Sequence, residues 1–351
     1  MAKRSVAPNQ NKVSEARALY FTFATAGATL LPSGLFFYNQ TIQLFGSPSI
    51  GTTASVIAML AAIVAFYIVE FMRDATKDER TTRGVLRRIV WTGSLAFVHA
   101  AVGFLLTTGI FFILHDAFIG LSFDWMTASV MTAGYVAALG YIFYLSATAM
   151  NTLRLSAILA IFIISGALTS MITAQDPYWW QLHFSSLGAD GTFSSVAFNL
   201  TLIVGGLVIM SLADYISNDF GKLQSADKRY VVVNRRLIRT LLTLMGLFLA
   251  FVGIFKYDDH VWLHNSSAGA MAFIFAVLVV LMPRIAPVFA RAFTIFSYAL
   301  LGGLLFSFWL FNGRFHYLNL TAFELIAFGV VFTWLIVFIR QIAASLQDRK
   351  A

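Results

Sequence analysis

Cysteine is absent from the 351-residue chain, which removes disulfides, thiolate metal ligands and cysteine nucleophiles and leaves no redox signature to read. Charge is scarce as well. Only 11% of residues are Asp, Glu, Lys or Arg, where a soluble domain carries about a quarter. No glycine-rich loop followed by Lys and Ser or Thr occurs, so the chain holds no nucleotide-driven motor of the P-loop type. The segment Met1 to Arg17 is polar and basic and lacks the short apolar stretch and small-residue cleavage site of a signal peptide, so the first span is expected to be retained. The two longest cytoplasmic loops expected, about 73–88 and 217–236, are too short for a globular domain of roughly 50 residues, which excludes a soluble catalytic module.

What remains is apolar. The chain is 59% hydrophobic with a mean hydropathy of +0.79, more apolar surface than a soluble fold can hide, and the bilayer is its solvent. About twenty apolar residues cross roughly 30 Å of hydrocarbon as a helix. Ten such runs are expected at 18–38, 51–72, 89–114, 126–149, 153–174, 193–216, 237–256, 266–282, 288–311 and 320–343. The fold class is therefore an all-α, polytopic transmembrane bundle. It divides into a cytoplasmic tail at 1–17, a four-helix unit at 18–149, a six-helix unit at 150–345 and a second tail at 346–351.

Orientation follows from the basic residues, which stay on the cytoplasmic side of short loops. With both termini inside, all of the 24 Lys and Arg fall in or beside cytoplasmic segments except Lys256 and Arg314. The net charge of +8 then serves topology and contact with anionic lipid, and no nucleic-acid partner is expected.

Two stretches about 140 residues apart share short identities, as in a parallel repeat of spans 1–4 on spans 5–8 with two helices added. Gly51-Thr52-Thr53-Ala54-Ser55-Val56 matches Gly191-Thr192-Phe193-Ser194-Ser195-Val196. Gly109-Ile110-Phe111, followed by His115 and Asp116, matches Gly253-Ile254-Phe255, followed by Asp258, Asp259 and His260. Chance likeness among small and Phe-rich apolar residues is the other reading.

Five of the six histidines, His115, His183, His260, His264 and His316, fall on the outer side of this topology. Asp116, Asp124, Asp176 and Asp190 stand near them, and Trp179, Trp180 and Trp262 are rings suited to headgroup depth. Asp258, His260 and His264 are the metal candidates, because an HxxxH spacing on a helix puts both imidazoles on one face. The alternative is that the loop histidines hydrogen-bond to neighbours, water or headgroups. His183 beside Ser185 and Ser186 permits a nucleophilic reading, although no strand-to-helix elbow is present. Ionisable groups inside the membrane are costly, which singles out His99, Asp214 and Glu324. Asp214 and Glu70 lie close to cytoplasmic arginines, whereas Glu324 can face the outer mouth and pair with Lys256 or Arg314. A lone His99 cannot supply a bis-histidine haem.

Residues 154–345 carry Ser186-Leu187-Gly188 in an outer loop, Phe198-Asn199 with Gly205-Gly206 in the next helix, Gly253-Ile254-Phe255 followed by His260 or His264 and Ala268, and Glu324 in the last helix. On these features the segment resembles the DRAM/Sfk-type six-helix membrane family and its bacterial relatives. Lys256 stands where the family often has Pro. The resemblance implies a membrane-embedded role around lipids and no established reaction.

The leading expectation is a non-enzymatic, multi-pass plasma-membrane protein that binds or translocates a lipid-like or amphipathic ligand through an outward-facing cavity. Its ligand-binding candidates are His183, Ser186, Asn199, Lys256, Arg314 and Glu324, with no cofactor expected. Its partners are membrane lipids, and other membrane proteins or a second copy of the chain. One rival is a metal-dependent intramembrane hydrolase or transferase, with a divalent ion such as zinc on Asp258, His260 and His264 beside His183. Another is an accessory subunit of a larger membrane complex.

Overall fold

In lipid every backbone N–H and C=O must find its partner within the protein, so apolar runs of this length become helices. A computed structural model describes residues 10–74, 82–189, 191–226, 228, 233–313 and 317–347. Its helices are α1 (Gln10–Phe37), α2 (Ile50–Asp74), α3 (Thr82–Ala117), α4 (Trp125–Thr148), α5 (Thr152–Ile172), α6 (Phe193–Ala226), α7 (Arg235–Ile254), α8 (Val261–Ile285), α9 (Arg291–Asn312) and α10 (Leu320–Gln347). All ten are long and apolar enough to cross a membrane. The chain is an integral, multi-pass membrane protein.

Several helices overrun the stretches expected from hydropathy. Helix α1 starts at Gln10, inside the expected tail, α3 at Thr82, and α6 continues to Ala226. Hydropathy marks the hydrocarbon crossing, whereas Lys, Arg, Ser and Asp extend a helix into the wet headgroup layer. The polar start of α1 is used in packing, since the Tyr141 hydroxyl donates to Glu15 at 3.0 Å. Helix α8, expected as the short 266–282 segment, is 25 residues long. Of the expected tails, residues 1–9 and 348–351 lie outside the described residues.

The chain forms two compact units, Met1–Met150 and Asn151–Ala351. In the first, α2 packs on α3 and α4, and α1 runs along α4. Strands β1 (Thr41–Gln43) and β2 (Ser122–Asp124) pair antiparallel between their ends. Phe37, Ile42, Leu44, Ile50 and Phe111 are buried beside them. Asp124, expected near an outer mouth, is the N-cap of α4 and accepts from the N–H groups of Met126 and Thr127 at 3.0 and 3.1 Å. The Thr127 hydroxyl and backbone lower its pKa.

In the second unit each helix packs on its successor, and α10 closes back on α5. The tightest seam is α6 on α7. A β-carbon on Gly206 would strike the Gly246 carbonyl oxygen, and one on Gly253 would lie 2.6 Å from the Asn199 carbonyl oxygen. The two four-helix stretches thus share the close α2–α3 and α6–α7 pairs, while α1 lies on α4 but α5 lies on α6. The matched glycines also differ. Gly51 lies within α2, where a β-carbon would sit 2.5 Å from that of Phe111, whereas Gly191 precedes α6 in a turn at φ +69°. The first glycine is required by close approach and the second by backbone conformation.

Candidate functional site

The α5–α6 connection is ordered by hydrogen bonds to its own carbonyls. Two single-turn 3₁₀ segments, Trp179–Gln181 and Phe184–Gly188, flank His183. Asn199 in α6 donates its amide to the Gly188 carbonyl at 2.8 Å, and Ser195 donates to the same oxygen at 3.2 Å. Ser186 donates to the His183 carbonyl at 2.6 Å. Asn199 and Ser186, both ligand-binding candidates from sequence, are therefore engaged in shaping the loop.

Helix α10 fastens the connection from the side. Glu324 accepts the Phe184 N–H at 2.5 Å and the Ser185 hydroxyl at 3.0 Å, while Thr321 donates to the Trp180 carbonyl at 2.8 Å. A carboxylate accepting two such bonds is well placed to hold a loop. Of the two expected partners of Glu324, Arg314 lies outside the described residues, as do His316 and Asp190, and no ion pair joins Glu324 to Lys256 among the described residues.

His183 sits against the α7–α8 turn. Its ring centroid is 4.0 Å from that of Tyr257, and Tyr257 in turn stands 5.7 Å from His264. Burial lowers the His183 pKa, with the Asp258 charge opposing that shift and His264 adding to it. His183 Nδ1 is buried and has no hydrogen-bond partner among the described residues. The His264 ring faces Nδ1 toward the Phe255 carbonyl at 2.8 Å, and because a carbonyl only accepts, that nitrogen carries the proton. His183, Asp258 and His264 are thus brought together around Tyr257. Sequence reasoning passed over Tyr257, whose one signal was its place between Lys256 and Asp258.

His260 is separated from this group. It is exposed at the N-cap of α8 with φ −144°, and its ring meets Phe255 edge-on at 6.1 Å. An HxxxH pair shares a face only when both residues are helical, and His260 stands outside the helix that carries His264. Lys256 is half-buried and its carbonyl accepts the His260 N–H at 3.0 Å. Among the described residues no group of three or more His, Asp or Glu side chains is placed to hold a metal ion. A serine–histidine dyad is not formed either. Ser185 donates to Glu324 and Ser186 donates to a backbone carbonyl.

The buried His99 and the partly exposed Asp214 have ordinary partners. His99 places Nδ1 2.8 Å from the Leu95 carbonyl and Nε2 2.9 Å from the Ser146 hydroxyl, packed on Phe66. Asp214 pairs with Arg239 at 2.6 Å. No family model, no curated protein and no solved structure matches the chain.

Proposed function

We propose that the protein binds a lipid-like or amphipathic ligand where the α5–α6 connection meets the α7–α8 turn, with the polar head at His183, Tyr257 and Asp258. The observation that carries this reading is the buried, unpartnered Nδ1 of His183. A buried polar atom without a partner costs about 1–3 kcal/mol, so a ligand hydrogen bond there is a gain. Glu324 and Thr321 hold the loop that presents it. The resemblance of residues 154–345 to the DRAM/Sfk-type family supports the same reading. The distribution of Lys and Arg supports a plasma-membrane protein with both termini cytoplasmic and this site facing outward.

Native mass spectrometry of the purified chain tests the proposal. Replacing His183→Phe keeps the ring volume and removes the nitrogen, and retention of co-purifying lipid should fall roughly tenfold. Equal retention by both proteins would overturn it. Orientation has its own check, because the chain is free of cysteine. A thiol at Ser47 should react with an impermeant reagent in intact cells and one at Ser225 should not.

A further inference from the structure

A second polar site lies at the opposite end of α6, independent of the histidine loop. There a cavity of about 750 Å³, broad-mouthed and open on one side, is lined by Tyr215, Asn218, Asp219, Lys222, Ser225 and Arg235. Helix α6 has 34 residues, which makes it about 51 Å long, against roughly 30 Å of hydrocarbon. Twenty residues from Phe193 reach only to about Leu212, so the turns lining this cavity stand at headgroup depth.

The cations around it are not equivalent. Arg239 is paired with Asp214 at 2.6 Å, and Lys222 is paired with Asp219 at 2.8 Å. Asp219 is buried and also accepts the Thr152 hydroxyl from α5, so its two oxygens are both occupied. Arg235 has no carboxylate within ion-pair distance among the described residues. Its guanidinium is nonetheless seated. A β-carbon on Gly221 would lie 2.6 Å from Arg235 Nη1, so the glycine leaves the space in which the guanidinium lies against α6. Among the described residues the lining carries two cations, Lys222 and Arg235, against one carboxylate, and the unmatched cation is the one with a forked set of donors. Arg235 also opens α7, a 20-residue helix whose positive end adds to the attraction for an anion.

We infer that this cavity binds a phosphate group, carried by an anionic lipid headgroup or free in solution, with Arg235 as its principal ligand. A guanidinium donates two parallel N–H bonds to phosphate oxygens, and the Asn218 amide adds a neutral donor beside it, while the Ser225 hydroxyl is engaged by the Gly221 carbonyl. Asp219 stays out of the way because Thr152 and Lys222 already satisfy it.

The full chain in detergent, titrated with phosphatidylglycerol and separately with inorganic phosphate, provides the test by native mass spectrometry. Arg235→Gln should lower phosphatidylglycerol retention about tenfold, the loss of a charge-assisted pair. Arg236→Gln removes a neighbouring exposed cation that does not line the cavity, and should leave retention unchanged. Displacement of the lipid by inorganic phosphate identifies a free-phosphate site, and lipid retention indifferent to inorganic phosphate identifies a headgroup site. Either result supports the inference. It is overturned if neither probe binds the wild-type chain, if Arg235→Gln retains both like wild type, or if Arg236→Gln loses as much. Arg235 is exposed, and unchanged helicity of both variants by circular dichroism excludes unfolding as the cause.

Discussion

The two units share one use of their polar side chains and differ in another. In the first, Thr22, Thr29 and Ser33 in α1 and Ser129 and Thr132 in α4 donate to carbonyls four residues back on their own helix. Where bonds cross, they join helix to helix, as in Ser55 with Thr108 and His99 with Ser146. In the second unit Glu324 and Thr321 reach from α10 to a connection about 140 residues earlier in the chain. Polar groups in the first unit settle helices against one another. Those of the second do so too, as in Thr201 and Ser297 within their helices and Ser170 with Ser194 between elements, and in addition they hold a loop in a set conformation. Among the described residues His183 Nδ1 is left without a hydrogen-bond partner and Arg235 without a carboxylate, while the first unit leaves Thr107 Oγ1. A polar group that is not needed for packing and is not satisfied by it is the residue type from which a binding site is made.

Breaking the helix seam should produce the largest effect. The β-carbon and branches of Gly206→Val would collide with the Gly246 carbonyl and with Ala250, forcing α6 and α7 apart at a cost of about 3 kcal/mol. Gly134 in the first unit has open space around it, so Gly134→Val should cost much less. Melting temperatures in one detergent compare the two, and similar losses would show that the close α6–α7 approach is not a stability determinant.

The next effect separates a loop clasp from a helix-internal bond. Glu324→Ala leaves the Phe184 N–H and the Ser185 hydroxyl without their acceptor and should cost about 2 kcal/mol. Hydrogen exchange should rise across 179–188. Thr22→Ala removes a hydroxyl that adds to an already bonded carbonyl and should change stability by about 0.5 kcal/mol or less. Unchanged exchange in the loop after Glu324→Ala would dissolve the contrast between the units.

How much of this was legible in the sequence depends on range. The ten spans were, because crossing lipid demands a continuous apolar run that hydropathy detects. The ends of α3 and α6 were not, since Arg, Ser and Asp support a helix beyond the hydrocarbon while lowering hydropathy. Glu324 stood out by its rarity within a span, yet its partners Phe184 and Ser185 lie some 140 residues away, and no local pattern points to them. The HxxxH spacing of His260 and His264 suggested a chelate only on the assumption of an unbroken helix. Helix α8 begins at Val261 instead. Arg235 read as one basic residue among many, because what distinguishes it is its place in the cavity lining and the space left for its guanidinium by Gly221.

The smallest effect compares two histidines. His99 has partners for both ring nitrogens, so His99→Phe should lower stability by about 1 kcal/mol. His183→Phe removes a nitrogen that has no hydrogen-bond partner among the described residues, and should be neutral or slightly stabilising at neutral pH. Acid then separates His183→Phe from wild type. The folded-state pKa of His183 lies below its ordinary value of 6.5, chiefly through burial, so the unfolded chain takes up a proton that the folded protein resists. Wild-type stability attributable to this residue is retained above pH 6.5 and falls as pH drops below it, down to the folded-state pKa. The Phe variant lacks this term. Its melting temperature should therefore gain on wild type as the pH is lowered from 7 toward 5, and a gap that stays constant or reverses would mean that His183 is not held neutral by its surroundings. Bound ligand should oppose the acid loss if it accepts a hydrogen bond from the protonated ring and add to it if it donates one to the neutral ring, so the same titration with lipid present reports which way the ligand bond runs.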